Sequence, residues 1–173
     1  YVYGLEILFG KIISYGTLLL LALILKMLVP TVIFMVVFYP LRRRTGGYHA
    51  DSFIGCYFGT VSIYIIMIKT IPQVVGNWPM LIGVMVVSII IILLFTPVDH
   101  PNLQLCEEEI FTCRKSVRWL LLLIILCIGS SIIMNINLML PAYAIAAVGM
   151  DAGLILIAKL GRQEVKCYEE AED

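Results

Sequence analysis

Six long apolar runs, closed by proline, asparagine or charge, leave this chain almost no way to fold in water. They cover roughly residues 7–27, 29–41, 53–71, 79–96, 117–135 and 139–158. Where lipid replaces water, each backbone amide and carbonyl must find a partner within the protein, and a helix satisfies them inside one segment. The pattern therefore predicts an all-α, polytopic membrane helical bundle with about six membrane segments. The second is short, because crossing the hydrocarbon takes about 20 residues. Composition agrees: 61% of residues are hydrophobic, 14% are charged, and the mean hydropathy is +1.01. No polar linker or low-complexity run divides the 173 residues, so the expectation is a single integral membrane domain over 1–173, with the lipid bilayer as its first partner.

Charge is informative by position rather than by sum. Twelve basic residues balance twelve acidic ones, which gives no basis for binding nucleic acid. Lys11, Arg42, Arg43, Arg44, Arg114, Lys115, Arg118, Lys159, Arg162 and Lys166 fall on one side of the spans, and Lys26 and Lys69 on the other. Positive residues close to span ends are retained in the cytoplasm. The bias places the connection 46–56, the polar stretch 96–116 and the acidic tail at the cytoplasmic face. The first apolar run is long and lacks a small-residue cleavage pattern, so it reads as a span rather than a secretory leader.

Four of the five cysteines, Cys56, Cys106, Cys113 and Cys167, lie at or near that reducing face, and Cys127 lies inside a span, so free thiols are expected. Cys106 and Cys113, with His100 nearby, match none of the tight structural zinc spacings. Neither a metal nor a cofactor is called for.

The stretch from Arg42 to Cys56 carries the chemistry. A thiol needs a base to become a nucleophile near neutral pH, and His49 is the imidazole at hand for Cys56. On one continuous helix, residues seven apart share a face but stand about 10 Å apart in rise. Direct contact thus requires a break between them or a second subunit. Gly46 and Gly47 supply flexible backbone, and Asp51 or Ser52 can cap a helix starting there. Cys56 then falls near the first turn, where unpaired amides and the helix dipole favour thiolate. A packing role for Cys56 and a headgroup contact for His49 are the plainer alternatives, and spacing alone leaves them open.

The stretch Arg44-Thr45-Gly46-Gly47-Tyr48-His49-Ala50-Asp51, followed by Cys56, resembles the signature of the accessory gene regulator B (AgrB) family, bacterial membrane endopeptidases that mature quorum-sensing peptides. A second block, Thr96-Pro97-Val98-Asp99-His100-Pro101-Asn102 with trailing acidic and then basic residues, resembles the cytoplasmic connection of that family. The resemblance implies a multi-pass protein of the bacterial cell membrane, with further residues ahead of the first span in a typical member. It implies His49 as catalytic base and Cys56 as nucleophile. The implied substrate is an AgrD-like propeptide with an amphipathic leader, a central signal sequence and a charged C-terminal tail. Attack at the tail junction would leave an acyl-enzyme thioester, which an internal cysteine or serine resolves into a thiolactone or lactone.

Around this pair the roles are open. Asp51 and Ser52 are candidates to orient His49 as well as to cap. Arg42, Arg43 and Arg44 suit acidic groups of a substrate tail and equally suit cytoplasmic anchoring. Amides near Gly46 and Gly47 or at the start of the Cys56 helix are candidate oxyanion donors. Asp151, an isolated carboxyl inside the last span, departs from the expected family pattern, and a structural hydrogen bond is its expected role. A homodimer is expected from the resemblance and from the small volume six short helices enclose, with Gly149 and Gly153 as candidate contact points. The rival readings are a small transporter or channel component, using Asp151, Lys26 and Lys69, and a nonenzymatic peptide receptor.

Overall fold

The computed structural model describes residues 2–46, 53–96, 107–134 and 138–160. Among them are six α-helices and no strand: α1 (Val2–Ile24), α2 (Leu28–Thr45), α3 (Phe53–Val74), α4 (Trp78–Phe95), α5 (Glu107–Ile133) and α6 (Met139–Leu160). The protein is an all-α helical bundle, and its outer surface is that of a membrane protein. Large apolar side chains such as Ile24, Leu94, Leu126 and Ile133 stand outward on several helices, which in water would be a severe aggregation liability. Three helices are long and apolar enough to cross a membrane among the described residues: Trp78–Phe95, Glu108–Ile133 and Met139–Leu160.

Local chemistry sets the helix starts. Proline lacks an N–H and is tolerated in a first turn, and Pro30, Pro79 and Pro141 each sit there in α2, α4 and α6. Asn77 caps α4, its side chain accepting from the Met80 amide at 3.3 Å. The second apolar run is short, yet its helix continues through Arg42–Arg44 to Thr45. Arginine is a good helix former, and cations suit the negative end of the helix dipole. Helix α5 likewise takes in Glu107–Glu109, well ahead of the apolar run, toward an N-terminal end where negative charge is favoured.

Helix α6 is the centre of the bundle. It packs chiefly on α2 and α4, and more lightly on α3 and α5. Ala142, Ala144, Ala147, Ala152 and Ala158 are all buried along it. Small residues let helix backbones approach closely where lipid provides no hydrophobic drive for association. Gly149 serves the same end within the chain: a methyl group there would stand 3.4 Å from Val84 Cγ1 and 3.7 Å from Ser88 Oγ of α4. Gly153 has nothing within 4 Å of the corresponding position. Facing α6, α2 buries Thr31, Phe34, Phe38, Leu41 and Thr45, a stripe at alternating spacings of three and four.

Three contacts tie helix ends to neighbouring helices. Thr45 of α2 bonds to Asp151 of α6, the Arg114 Nε of α5 donates to the Thr96 carbonyl after α4 at 3.1 Å, and the Lys159 ammonium lies 4.1 Å from the centre of the Phe95 ring. The ends of α2, α4 and α6 and the first turns of α5 thus share one side of the bundle. Most described basic residues gather there, and chain alternation leaves Lys26 and Lys69 at the opposite side.

Toward that opposite side, Thr31 and Tyr64 join α2 to α3, both fully buried with their hydroxyl oxygens 2.7 Å apart. Thr31 gives its single proton to the Met27 carbonyl at 2.7 Å, so Tyr64 is the donor between them. Thr31→Val would strand the buried phenol at a cost of about 1–3 kcal/mol, whereas Tyr64→Phe loses one bond worth about 0.5–1.5 kcal/mol. Thermal unfolding in micelles should rank Thr31→Val below Tyr64→Phe, and adding Tyr64→Phe to Thr31→Val should recover stability. By the same assay, Ala147→Leu should overpack the α6 interface and cost about 1–3 kcal/mol. Gly153→Ala, entering open space, should be tolerated.

Candidate functional site

Cys56 stands toward the N-terminal end of α3, as the fourth of its described residues. First-turn amides lack intrahelical acceptors, and together with the helix dipole they favour an anion nearby. Upstream, α2 ends at Thr45, and Gly46 follows with φ 70° and ψ −137°, a conformation that glycine adopts without a Cβ clash. The Gly46 amide donates to the Arg42 carbonyl at 3.2 Å, and the Arg42 guanidinium donates back to the Gly46 carbonyl. The end of α2 is therefore closed by its own arginine, seven residues ahead of Phe53. The candidates Gly47, His49, Asp51 and Ser52 lie in between, outside the described residues.

The three arginines do different work. Arg42 is half-buried and turns inward, toward Gly46 and into favourable electrostatic interaction with the Asp151 carboxyl. Arg43 and Arg44 are exposed. Arg44 borders an open groove of about 510 Å³ that runs along α5, with Lys115 beside it and Trp119, Leu123 and Leu126 farther along. One end of this groove is basic and the rest is apolar. An amphipathic chain carrying acidic groups matches that division.

Asp151 is completely buried. It accepts a hydrogen bond from Thr45 Oγ1 at 3.1 Å, and Thr45 is itself fully buried. The structural hydrogen bond expected for this carboxyl is present, and its donor is a residue the sequence reading did not single out. A signal existed: Thr45 stands fourteen residues after Thr31 on the same buried stripe of α2, and a polar side chain on such a stripe needs a partner. The second carboxyl oxygen, Oδ2, has no hydrogen-bond partner.

No group of three or more metal-ligating side chains gathers among the described residues. Cys113 is a half-buried free thiol and Cys127 an exposed one, while His100, Cys106 and Cys167 lie outside the described residues.

Comparison with known proteins supplies the family. The profile for accessory gene regulator B matches residues 1–156. An AgrB-like protein of Listeria monocytogenes serotype 4a is 26% identical over 180 residues, an alignment covering 98% of this chain and 83% of the relative. An AgrB-like protein of Listeria innocua serovar 6a matches with the same identity and coverage. No solved structure matches the chain. With the profile covering nearly its whole length, including Cys56, the capped end of α2 and the buried Asp151, the chain belongs to the accessory gene regulator B family.

Proposed function

We propose that this protein is a membrane-embedded cysteine endopeptidase that removes the C-terminal tail of an AgrD-like propeptide and promotes cyclisation of the remainder. Family membership ties the chain to the agr quorum-sensing system. The single observation that carries the enzymatic reading is the location of Cys56 toward the N-terminal end of α3, a short chain segment after the closed end of α2, with His49 on that segment in the sequence.

The reaction follows from those groups. His49 takes the proton of the Cys56 thiol, and the thiolate attacks the carbonyl carbon at the tail junction. Amides at the N-terminal end of α3 and near Gly47 are the candidate donors to the developing oxyanion, the Gly46 amide itself being engaged by the Arg42 carbonyl. As the C–N bond breaks, His49 returns the proton to the leaving amine, and the tail departs. The acyl group remains on Cys56 as a thioester. An internal thiol or hydroxyl of the peptide, deprotonated by His49, attacks that thioester, closes the ring and regenerates the Cys56 thiol. Exchange between thioesters is nearly balanced in energy, so holding the internal nucleophile close and excluding water decides for ring closure over hydrolysis. No metal or cofactor enters any step. Asp51 and Ser52 remain the candidates to orient His49.

The setting suits such a substrate. An amphipathic leader lies in the bilayer interface and concentrates there. With Arg42 turned inward, Arg43 and Arg44 are the residues of the triplet available to acidic groups of the tail. The same reading takes the chain as one integral domain with six passes in the bacterial cell membrane, its reactive end in the cytoplasm, working as a homodimer. Gly149 is used within the chain against α4, so it is not a free contact point for a second copy. The transporter reading loses ground, because Lys26 and Lys69 lie at the far side of the bundle from Asp151 and that carboxyl is fully buried beside Thr45.

Co-expression with the cognate propeptide tests the assignment. Cys56→Ala and His49→Ala should each reduce tail release by about a thousandfold or more, as happens when one member of a catalytic unit is lost. Cys56→Ser should be similarly impaired, and only the wild type should accumulate a thioester-linked peptide that hydroxylamine releases. Normal release by all three variants would refute the cysteine-protease reading.

A further inference from the structure

A carboxyl buried in a membrane helix is costly unless something compensates it. Asp151 has two compensations, both from the last turn of α2: the Thr45 hydroxyl at 3.1 Å and the charge of Arg42. Elsewhere α2 and α6, which pack extensively on one another, bury mainly apolar side chains, Phe34, Phe38 and Leu41 on one and alanines on the other, and need no polar pair. Apolar packing would hold the two helices together at least as well, since interhelical hydrogen bonds in membranes contribute little on average. The orphaned Oδ2 adds to the cost. What the polar pair provides, and apolar packing does not, is one fixed register between the helices at one residue.

That residue is where the helical chain stops. Thr45 is the final residue of α2, Gly46 follows in its glycine-favoured conformation, and Arg42 reaches over to the Gly46 carbonyl. The path toward residue 49 thus departs from a point tied to α6 through Asp151. We propose that Asp151 and Thr45 form a positioning clasp for the Cys56–His49 pair, setting the point from which the histidine-bearing segment leaves α2. The inference rests on the thiol chemistry proposed above. Neither residue touches the reacting atoms, and their effect passes through the backbone at Gly46.

The test uses full-length protein in nanodiscs, with Cys106, Cys113, Cys127 and Cys167 replaced by serine so that iodoacetamide reports on Cys56 alone. Thr45→Val should lower kcat for tail release about tenfold to a hundredfold, the scale of a displacement of about 1 Å, with little change in KM. It should also move the pH profile of Cys56 alkylation toward that of an isolated thiol. Thr45→Ser, which keeps the hydroxyl, and Asp151→Asn, which keeps an acceptor, should retain the wild-type profile and most of the rate. Asp151→Leu should behave like Thr45→Val. If Thr45→Val does not fold, Thr45→Ala makes the same comparison without added bulk. An unchanged alkylation profile and kcat in the folded hydroxyl-deleted variant would overturn the clasp, as would equal losses in Thr45→Ser and Thr45→Val. Failure of the underlying reading has its own signature: tail release that survives Cys56→Ala.

Discussion

Close packing around one small-residue helix is the constraint on which the rest of this molecule depends. Lipid tails are as apolar as leucine, so burying apolar surface between helices brings little by itself, and shape has to do the work. The alanines of α6 let α2 and α4 come near, and both run parallel to it. With that geometry set, polar groups can be placed at depth without dissolving the bundle. Thr31 with Tyr64 and Thr45 with Asp151 are two such placements, each joining elements at a single level.

The number and type of helices were legible in the sequence because six apolar runs between breakers leave little freedom. Helix ends were less so. Apolarity marks where lipid ends, whereas a helix ends where its backbone loses partners. Helices α2 and α5 both outrun their apolar stretches on arginine and glutamate, residues that a hydropathy reading counts as boundaries and helix energetics does not. The centrality of α6 was also hidden, since it depends on which faces of separate segments meet.

For the site, the candidate residues were legible and their architecture only partly so. A histidine and a cysteine seven apart, after a glycine pair, suggested a thiol with a base across a break, and α3 has Cys56 toward its N-terminal end. Three consecutive arginines looked equivalent on paper. Only tertiary contacts separate Arg42, which closes the end of its own helix, from Arg44, which borders the groove along α5. Asp151 stood out as an anomalous charge, but its partner lies 106 positions away, and no local pattern pairs the two.

The bundle's two sides are built unalike. On one, short joints of a few residues link α1 to α2, α3 to α4 and α5 to α6, so those helices are tied off almost where they stop. On the other, the chain leaves α2, α4 and α6 by longer polar routes, all from neighbouring exits around the same small-residue helix. Under the processing role proposed above, the parts that would meet a peptide and the short joints that close the helices lie at opposite ends of the bundle, so a change at one end leaves the closure of the other untouched.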